Sequence, residues 1–356
     1  MIKGRMERIM KSFRQIMLAI CVILIASAFA GCGVDTDSPD KRPALEKIEY
    51  TNLNDSVSQK TLEDMLSGAG VSGNRIQGFF NRVDSFNESV REEWLTTGFE
   101  KAKPLDTKYD PYEMQDEWVA KNGNFPGYNC RITAMELFGD FVSAGDEAQI
   151  DTGEDVLFMD EETLKTDPDA LGGSSLTDFR ALYSSMRAED TTDVQRHVQT
   201  VQEEWKSRGI SFRENERIRL ITVFFHDKST EEESILFVGH AGVLLTADDG
   251  TLYFVEKVAF QEPYRLLRFA DRTELSDYLM GKYDVSWGQS TARPFIMEND
   301  ERMDGWRPNP DGADAAHHEE NILRTIGTRA ALPTHTGSAA RLSKRNGQDV
   351  KFLKVV

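Results

Sequence analysis

Between Glu214 and Arg219 the apolar pattern of this chain changes its period, and that change limits the fold more than any other feature. Upstream, apolar residues recur three and four apart, as one buried helix face requires: Ile76, Phe79, Phe80, Val83, Phe86 and Val90, with Asn81, Asp84 and Glu88 opposite. Residues 47–120 read as helical, with helices around Leu62–Leu66 and from Tyr112 to Val119 after Pro111. The loop Asn122–Gly127 leads into Ile132–Val142, apolar over most of a helix circumference and so expected inside the domain. Further helices are expected near 176–188 and 191–208. Downstream, Arg219–Phe225 is β-branched and aromatic, and Ser234–Leu245 and Thr251–Phe260 flank the hairpin signal Asp248-Asp249-Gly250. Tyr264–Phe269 reads as another strand and Thr273–Met280 as a short helix. Helices first and antiparallel strands second make an α+β fold and exclude two alternating βαβ halves.

The N-terminus is organised for export. Lys3, Arg5, Arg8, Lys11 and Arg14 precede an apolar run from Ile16 to Ala30 that closes on Phe29-Ala30-Gly31-Cys32. A basic region, a short apolar region and small residues before a cut site are the parts of a signal peptide. The run is shorter than the roughly 20 residues of a spanning helix. Its small-small-Cys ending resembles the bacterial lipobox, with Phe29 where Leu is usual, and that resemblance implies lipidation of Cys32. Four segments are therefore expected: a lipoprotein signal peptide (1–31), a polar Pro-bearing tether (32–46), one domain (47–306) and a tail (307–356). The tail, rich in Ala, Gly, Arg, Thr and Asn, reads as a disordered or out-of-frame extension, and His317-His318 within it as an incidental pair.

A net charge of −18 without a basic stripe argues against nucleic acid as a partner. Cysteine usage says more. Cys21 leaves with the signal and Cys32 is consumed by lipid, so Cys130 is the remaining thiol and no disulfide can form within the domain. It is either a small buried hydrophobe or a reactive thiol. Asn129 is a favourable N-cap, which puts Cys130 in the first turn of the apolar helix, where dipole and free amides favour a thiolate and an oxyanion.

A thiol nucleophile needs a base. His197 falls on a polar helix face and His226 in a polar turn facing solvent, whereas His240 opens Gly239-His240-Ala241-Gly242 among small residues in a strand. It is a base or a satisfied core histidine. Glu256 would orient it if both share a face. A two-residue Asp249-Gly250 loop sets them on opposite faces; a three-residue loop with left-handed Gly250 pairs 240 with 258 and sets them on one. Gln261 and Glu262 are held in reserve.

Tyr128-Asn129-Cys130, His240-Ala241-Gly242-Val243 and Phe254-Val255-Glu256 together resemble the papain-like fold, in the style of NlpC-type cell-wall endopeptidases and amidases. Arg131-Ile132 after the cysteine and Glu in the third position depart from that pattern. Residues 45–303 also resemble a bacterial lipoprotein family known as domain of unknown function 4300, through Phe254–Lys257, Ala259–Tyr264 and Arg293–Asn299. That lipoprotein family brings no assigned activity. The papain-like resemblance implies a helical part packed on an antiparallel sheet and, with the lipobox, a lipid-anchored cysteine hydrolase of amide or peptide bonds at the outer face of the cell membrane, acting on cell-wall peptides. Cys130 would be nucleophile, His240 base and Glu256 orienter, with Tyr128, Asn129 and Gln261 around the substrate or oxyanion. A monomer is expected, with no metal, cofactor or nucleic acid. The alternative is a non-catalytic surface lipoprotein binding a ligand or wall component on the same fold.

Overall fold

The computed structural model describes residues 42–145, 156–228, 233–285 and 290–310. The expected signal peptide, Cys32, the expected tether through residue 41 and the expected tail from 311, with His317 and His318, lie outside the described residues.

In chain order the elements are β1 (Ile48–Thr51), α1 (Ser56–Ala69), α2 (Gly73–Ser89), β2 (Glu100–Ala102), α3 (Pro111–Asn122), α4 (Cys130–Phe138) and β3 (Val142–Ser143). There follow α5 (Phe158–Thr166), α6 (Leu176–Tyr183), β4 (Met186–Arg187), α7 (Val194–Ser207), β5 (Ser211–Phe212) and β6 (Ile218–Asp227). The chain continues through β7 (Ile235–Thr246), β8 (Leu252–Lys257), β9 (Tyr264–Phe269), α8 (Arg272–Tyr283), β10 (Phe295–Glu298) and β11 (Glu301–Arg302). Local chemistry sets many of these limits. Asp55, Asp110, Asn129, Asp193 and Asp271 accept first-turn N–H groups as N-caps, and Gly70 ends α1 in the left-handed region at φ 86°.

The fold is mixed, with an antiparallel nine-stranded sheet ordered β11-β10-β6-β7-β8-β9-β1-β2 and β4 added to β7. One face carries Leu220, Phe224, Ala241, Val243, Val255 and Leu266 against the helices α1–α7; α4 is buried in that core. The other carries Ile221, Val223, Leu244, Phe254 and Leu267 against α8, which contributes Leu275, Tyr278 and Leu279.

Several elements differ from the sequence expectation. Residues 47–120 are not all helical, because β1 and β2 lie within them. These short strands at one end of the sheet owe their form to the pairing of β1 with β9 and of β1 with β2, which no local pattern reports. The buried helix stops at Phe138, and Val142 pairs with Phe212 in a separate ribbon. Two histidines expected in polar settings are inside. His197 is fully buried and His226 is 7% exposed, their rings 4.3 Å apart. The domain also passes the expected boundary at 306: Arg307 is buried, pairs with Asp277 at 2.7 Å, and is followed by Asn309 bonded to Asp284.

Candidate active site

The hairpin between β7 and β8 turns on three residues. The Gly250 N–H donates to Ala247 O at 2.9 Å, Gly250 has φ 86°, and Ala247 pairs with Thr251. This length fixes Gly242 opposite Glu256, so Glu256 and position 240 share a face. A second device sets which face that is. Val223 pairs with His240 but Phe224 with Val238, leaving Gly239 as the extra residue of a β-bulge. Leu236 and Val238 before the bulge and Ala241 and Val243 after it all point at the helical core. His240 is thereby turned to the α8 face, where its ring lies 5.1 Å from that of Tyr283 and 6.4 Å from that of Phe254. A Cβ at Gly239 would stand 2.2 Å from the Phe225 ring, so the bulge needs glycine.

Beyond Gly242 the β7–β8 ladder ends, although β7 runs on beside β6 to Ile235. Backbone groups along that edge of β7 need other partners. The first turn of α4 supplies them. Arg131 donates through Nη1 to Val238 O at 2.9 Å, and the Ala241 N–H contributes to lowering the Cys130 pKa. The helix start thus fills the gap where the two strands part. There Cys130, carried by a helix on one face, meets His240, turned toward the other.

The contacts form a continuous chain. His240 Nε2 lies 2.7 Å from Glu256 Oε2, which leaves Nδ1 for Cys130, the acid that acts most strongly on the ring. Glu256 Oε1 accepts from the Tyr278 hydroxyl at 2.5 Å. Arg265 then donates to Tyr278 at 3.5 Å and to Tyr109 at 3.3 Å, and Tyr109 donates to Glu262 at 2.7 Å. Cys130, His240 and Glu256 are 6%, 1% and 0% exposed. Burial alone would keep each neutral. For the thiol it is opposed and outweighed by His240, with Arg131 and the Ala241 N–H assisting, and the Cys130 pKa falls. For His240 burial is outweighed by Cys130 and Glu256, and the pKa rises to about 9. For Glu256 burial is outweighed by the His240 hydrogen bond and charge, with Lys282 and Arg265 adding, and the pKa falls to about 2. The two shifts run in opposite directions, thiol down and imidazole up, so each partner favours the charged form of the other and the pair titrates jointly.

Each expected residue can now be located. Of the three acids and amides considered for the third position, Glu256 is bonded to His240, while Glu262 lies at the far end of the chain. Gln261 is half-buried in the β8–β9 loop, beside Phe260, whose carbonyl lies against Gly127. Asn129 caps α4 by accepting from the Ile132 N–H at 3.0 Å and donates to Asp160 at 2.8 Å, so its amide positions the helix and is not aimed at an oxyanion. Tyr128 also departs from expectation. Its hydroxyl donates to Asp167 at 2.8 Å and it lines a polar cavity that Cys130, His240 and Glu256 do not line.

Sequence reasoning missed the supports. Arg131 grips the fully buried Asp160 with Nε at 3.0 Å and Nη2 at 2.6 Å, and Asp160 in turn holds Asn129, so both residues flanking Cys130 are tied to one carboxylate. Only the arginine directly after the cysteine gave a signal. Lys257 is buried with Nζ 4.0 Å from the Phe86 ring, donating to the carbonyls of Ala259 at 2.9 Å, Phe260 at 3.1 Å and Glu262. It pins the β8–β9 loop. Among the described residues no group of three or more His, Cys, Asp or Glu could hold a metal ion, and no helix is long and apolar enough to cross a membrane.

A family described as Domain of unknown function (DUF4300) matches residues 49–303, from β1 through Met303 just past β11. The chain belongs to this family. The DUF4300 match thus spans Cys130, His240, Glu256, Arg131 and Asp160, while Arg307 and Asn309 lie just beyond it. The chain matches no curated protein and no solved structure.

Proposed function

We propose that this DUF4300 domain is a papain-like thiol hydrolase of amide or peptide bonds, held by lipid on Cys32 at the outer face of a bacterial membrane, with cell-wall peptides as substrates. The observation that carries the reading is the buried chain Cys130–His240–Glu256, with the thiol pKa lowered and the imidazole pKa raised to about 9. A thiol kept only for packing gains nothing from a helix start, an N–H donor and a histidine backed by a carboxylate.

In this reading the Cys130 thiolate attacks the scissile carbonyl, and the oxyanion forms beside the Cys130 backbone N–H, which has no helical partner at that position. His240 passes the Nδ1 proton to the departing amine, leaving an acyl-thioester. Water then attacks the thioester while His240 takes up its proton, and the carboxylic acid leaves with the thiolate restored. Glu256 holds the ring in the Nδ1-facing orientation and balances its charge throughout. Arg131 and Asp160 act on geometry, not on the bond being broken.

Purified cell-wall fragments incubated with the full chain should release new amino groups, and Cys130→Ala should release none above background. Release by both proteins alike, or by neither, would overturn the proposal. The near-complete burial of Cys130 and His240 favours a second reading, a surface lipoprotein that binds a ligand without cutting it. Retention of labelled wall peptide by both proteins, with no amine released, selects that one.

A further inference from the structure

One buried cation spends all its donors on a single loop. Lys257 is 0% exposed and follows Glu256 at the end of β8, so the two side chains leave opposite faces of the sheet. Glu256 works on the α8 face. Lys257 lies in the helical core, its Nζ 4.0 Å from the Phe86 ring and 5.0 Å from that of Tyr264. From there it turns back on the β8–β9 loop and donates to three of its carbonyls, those of Ala259 at 2.9 Å, Phe260 at 3.1 Å and Glu262. An ammonium has three N–H donors, one for each oxygen. A neutral amine would turn its lone pair on one of them. Burial pulls the Lys257 pKa down, and the Glu262 and Cys130 charges work against the fall.

An apolar side chain would fill this space without the cost of burying a charge. What the charge adds is a fixed course for the loop backbone, and the site leans on that backbone in two places. The first is the approach to the thiol. A Cβ at Gly127 would stand 3.0 Å from Phe260 O, so the chain passes directly against a carbonyl that Lys257 holds, three residues before Cys130. Gly127 has φ 88°, and its own carbonyl accepts from Thr163 Oγ1 at 2.7 Å, which closes the segment from the other side. The second is the support of the acid. Glu262, whose carbonyl Lys257 also holds, ends the hydrogen-bonded chain through Tyr109, Arg265 and Tyr278 to Glu256. Cys130 reaches the gap from one face of the sheet and Glu256 stands on the other, so their spacing needs a link between faces. Lys257 is adjacent to one in sequence and bonded to the loop that backs the other.

We propose that Lys257 is a positioning residue of the site: its grip on the β8–β9 loop sets the Gly127–Cys130 segment against His240. It touches no reacting atom and acts through the Phe260 carbonyl. The role deepens the hydrolase reading and rests on it, but its deciding readout is the reactivity of Cys130, which requires no bond to be cut.

The test is iodoacetamide labelling across pH, read at Cys130 by mass in the full chain, with amine release from cell-wall fragments measured beside it. Lys257→Met keeps the length of the side chain and loses the charge. In the folded variant, checked by far-UV circular dichroism, labelling should move up toward the ordinary thiol range. Amine release should fall about ten- to a hundredfold, as a misplacement of about 1 Å would cause. A side chain needed only for packing would leave the labelling profile where it is. If Lys257→Met does not fold, Gly127→Ala disturbs the same contact from the other side and should shift the profile in the same direction. An unchanged profile in folded Lys257→Met, or in Gly127→Ala where Lys257→Met does not fold, would overturn the proposal. A shifted profile in a protein whose wild type releases no amine would overturn the hydrolase reading and leave the positioning of the thiol standing.

Discussion

His226 and His240 lie on neighbouring strands, both nearly excluded from water, and their basicities have moved in opposite directions. His240 rises to about 9 and His226 falls to about 4. Burial opposes the charged ring at both positions, so burial cannot be the difference. His240 faces an acid on each side, Cys130 and Glu256. His226 faces none directly: its Nδ1 accepts from the Ala292 N–H at 2.9 Å, its Nε2 lies 2.7 Å from Ser234 Oγ, and its ring lies 4.3 Å from that of His197, tilted by 56°. The Ala292 N–H can only donate, which fixes a neutral ring protonated on Nε2. Asp190 offsets the fall only in part, and Lys228 adds to it. The lesson is that partners, not exclusion from water, make a histidine a base or a spacer here.

The comparison breaks most completely at Glu256. In Glu256→Gln, His240 keeps its burial but loses its carboxylate, and its pKa should drop toward the His226 side. Rates of amide hydrolysis should fall by about 10² to 10⁴, because a neutral amide can hold the wrong tautomer. Iodoacetamide labelling of Cys130 across pH checks the cause. In wild type Cys130 should label below the ordinary thiol range, with a second change as His240 deprotonates near 9, and the variant should label as an ordinary thiol.

Arg131→Leu should come next. It leaves Asp160 charged and buried, with only the Asn129 amide for company, at a cost of about 3–5 kcal/mol in urea unfolding. A loss under about 1 kcal/mol would mean that the helix start is held by packing alone. His226 gives a smaller effect with a defined sign. Its folded pKa lies below the ordinary 6.5, so the unfolded chain takes up the proton first and stability falls as pH drops from about 6.5 to about 4. His226→Gln should flatten that slope by one proton, measured as urea midpoint against pH. Tyr278→Phe removes one donor from Glu256 and should lower hydrolysis about three- to tenfold, sharpening how far the acid's own support matters.

What could be read in advance had short-range causes. Asn129 as a cap and Cys130 at the helix start follow from side chains bonding amides three residues on. The register of Glu256 against Gly242 follows from the length of one turn and the one residue type, glycine, that accepts its φ. The two other strand and helix histidines show the limit. His226 sits next to Asp227 in sequence and looks wet, yet Ala292, 66 residues away, donates to its ring.

The sequence by itself determined the change from a mainly helical first part to antiparallel strands, the cap before the thiol and the hairpin that carries His240 and Glu256, because each rests on contacts within a few residues. Only the tertiary structure decided that β7 bulges at Gly239, that its ladder with β8 ends at Gly242, and that Arg131 reaches Val238 across 107 positions to seat Cys130 in the gap. Those are pairings between distant segments. Which donor meets which acceptor is settled there by the packing of the whole core, and no run of neighbouring residues records it.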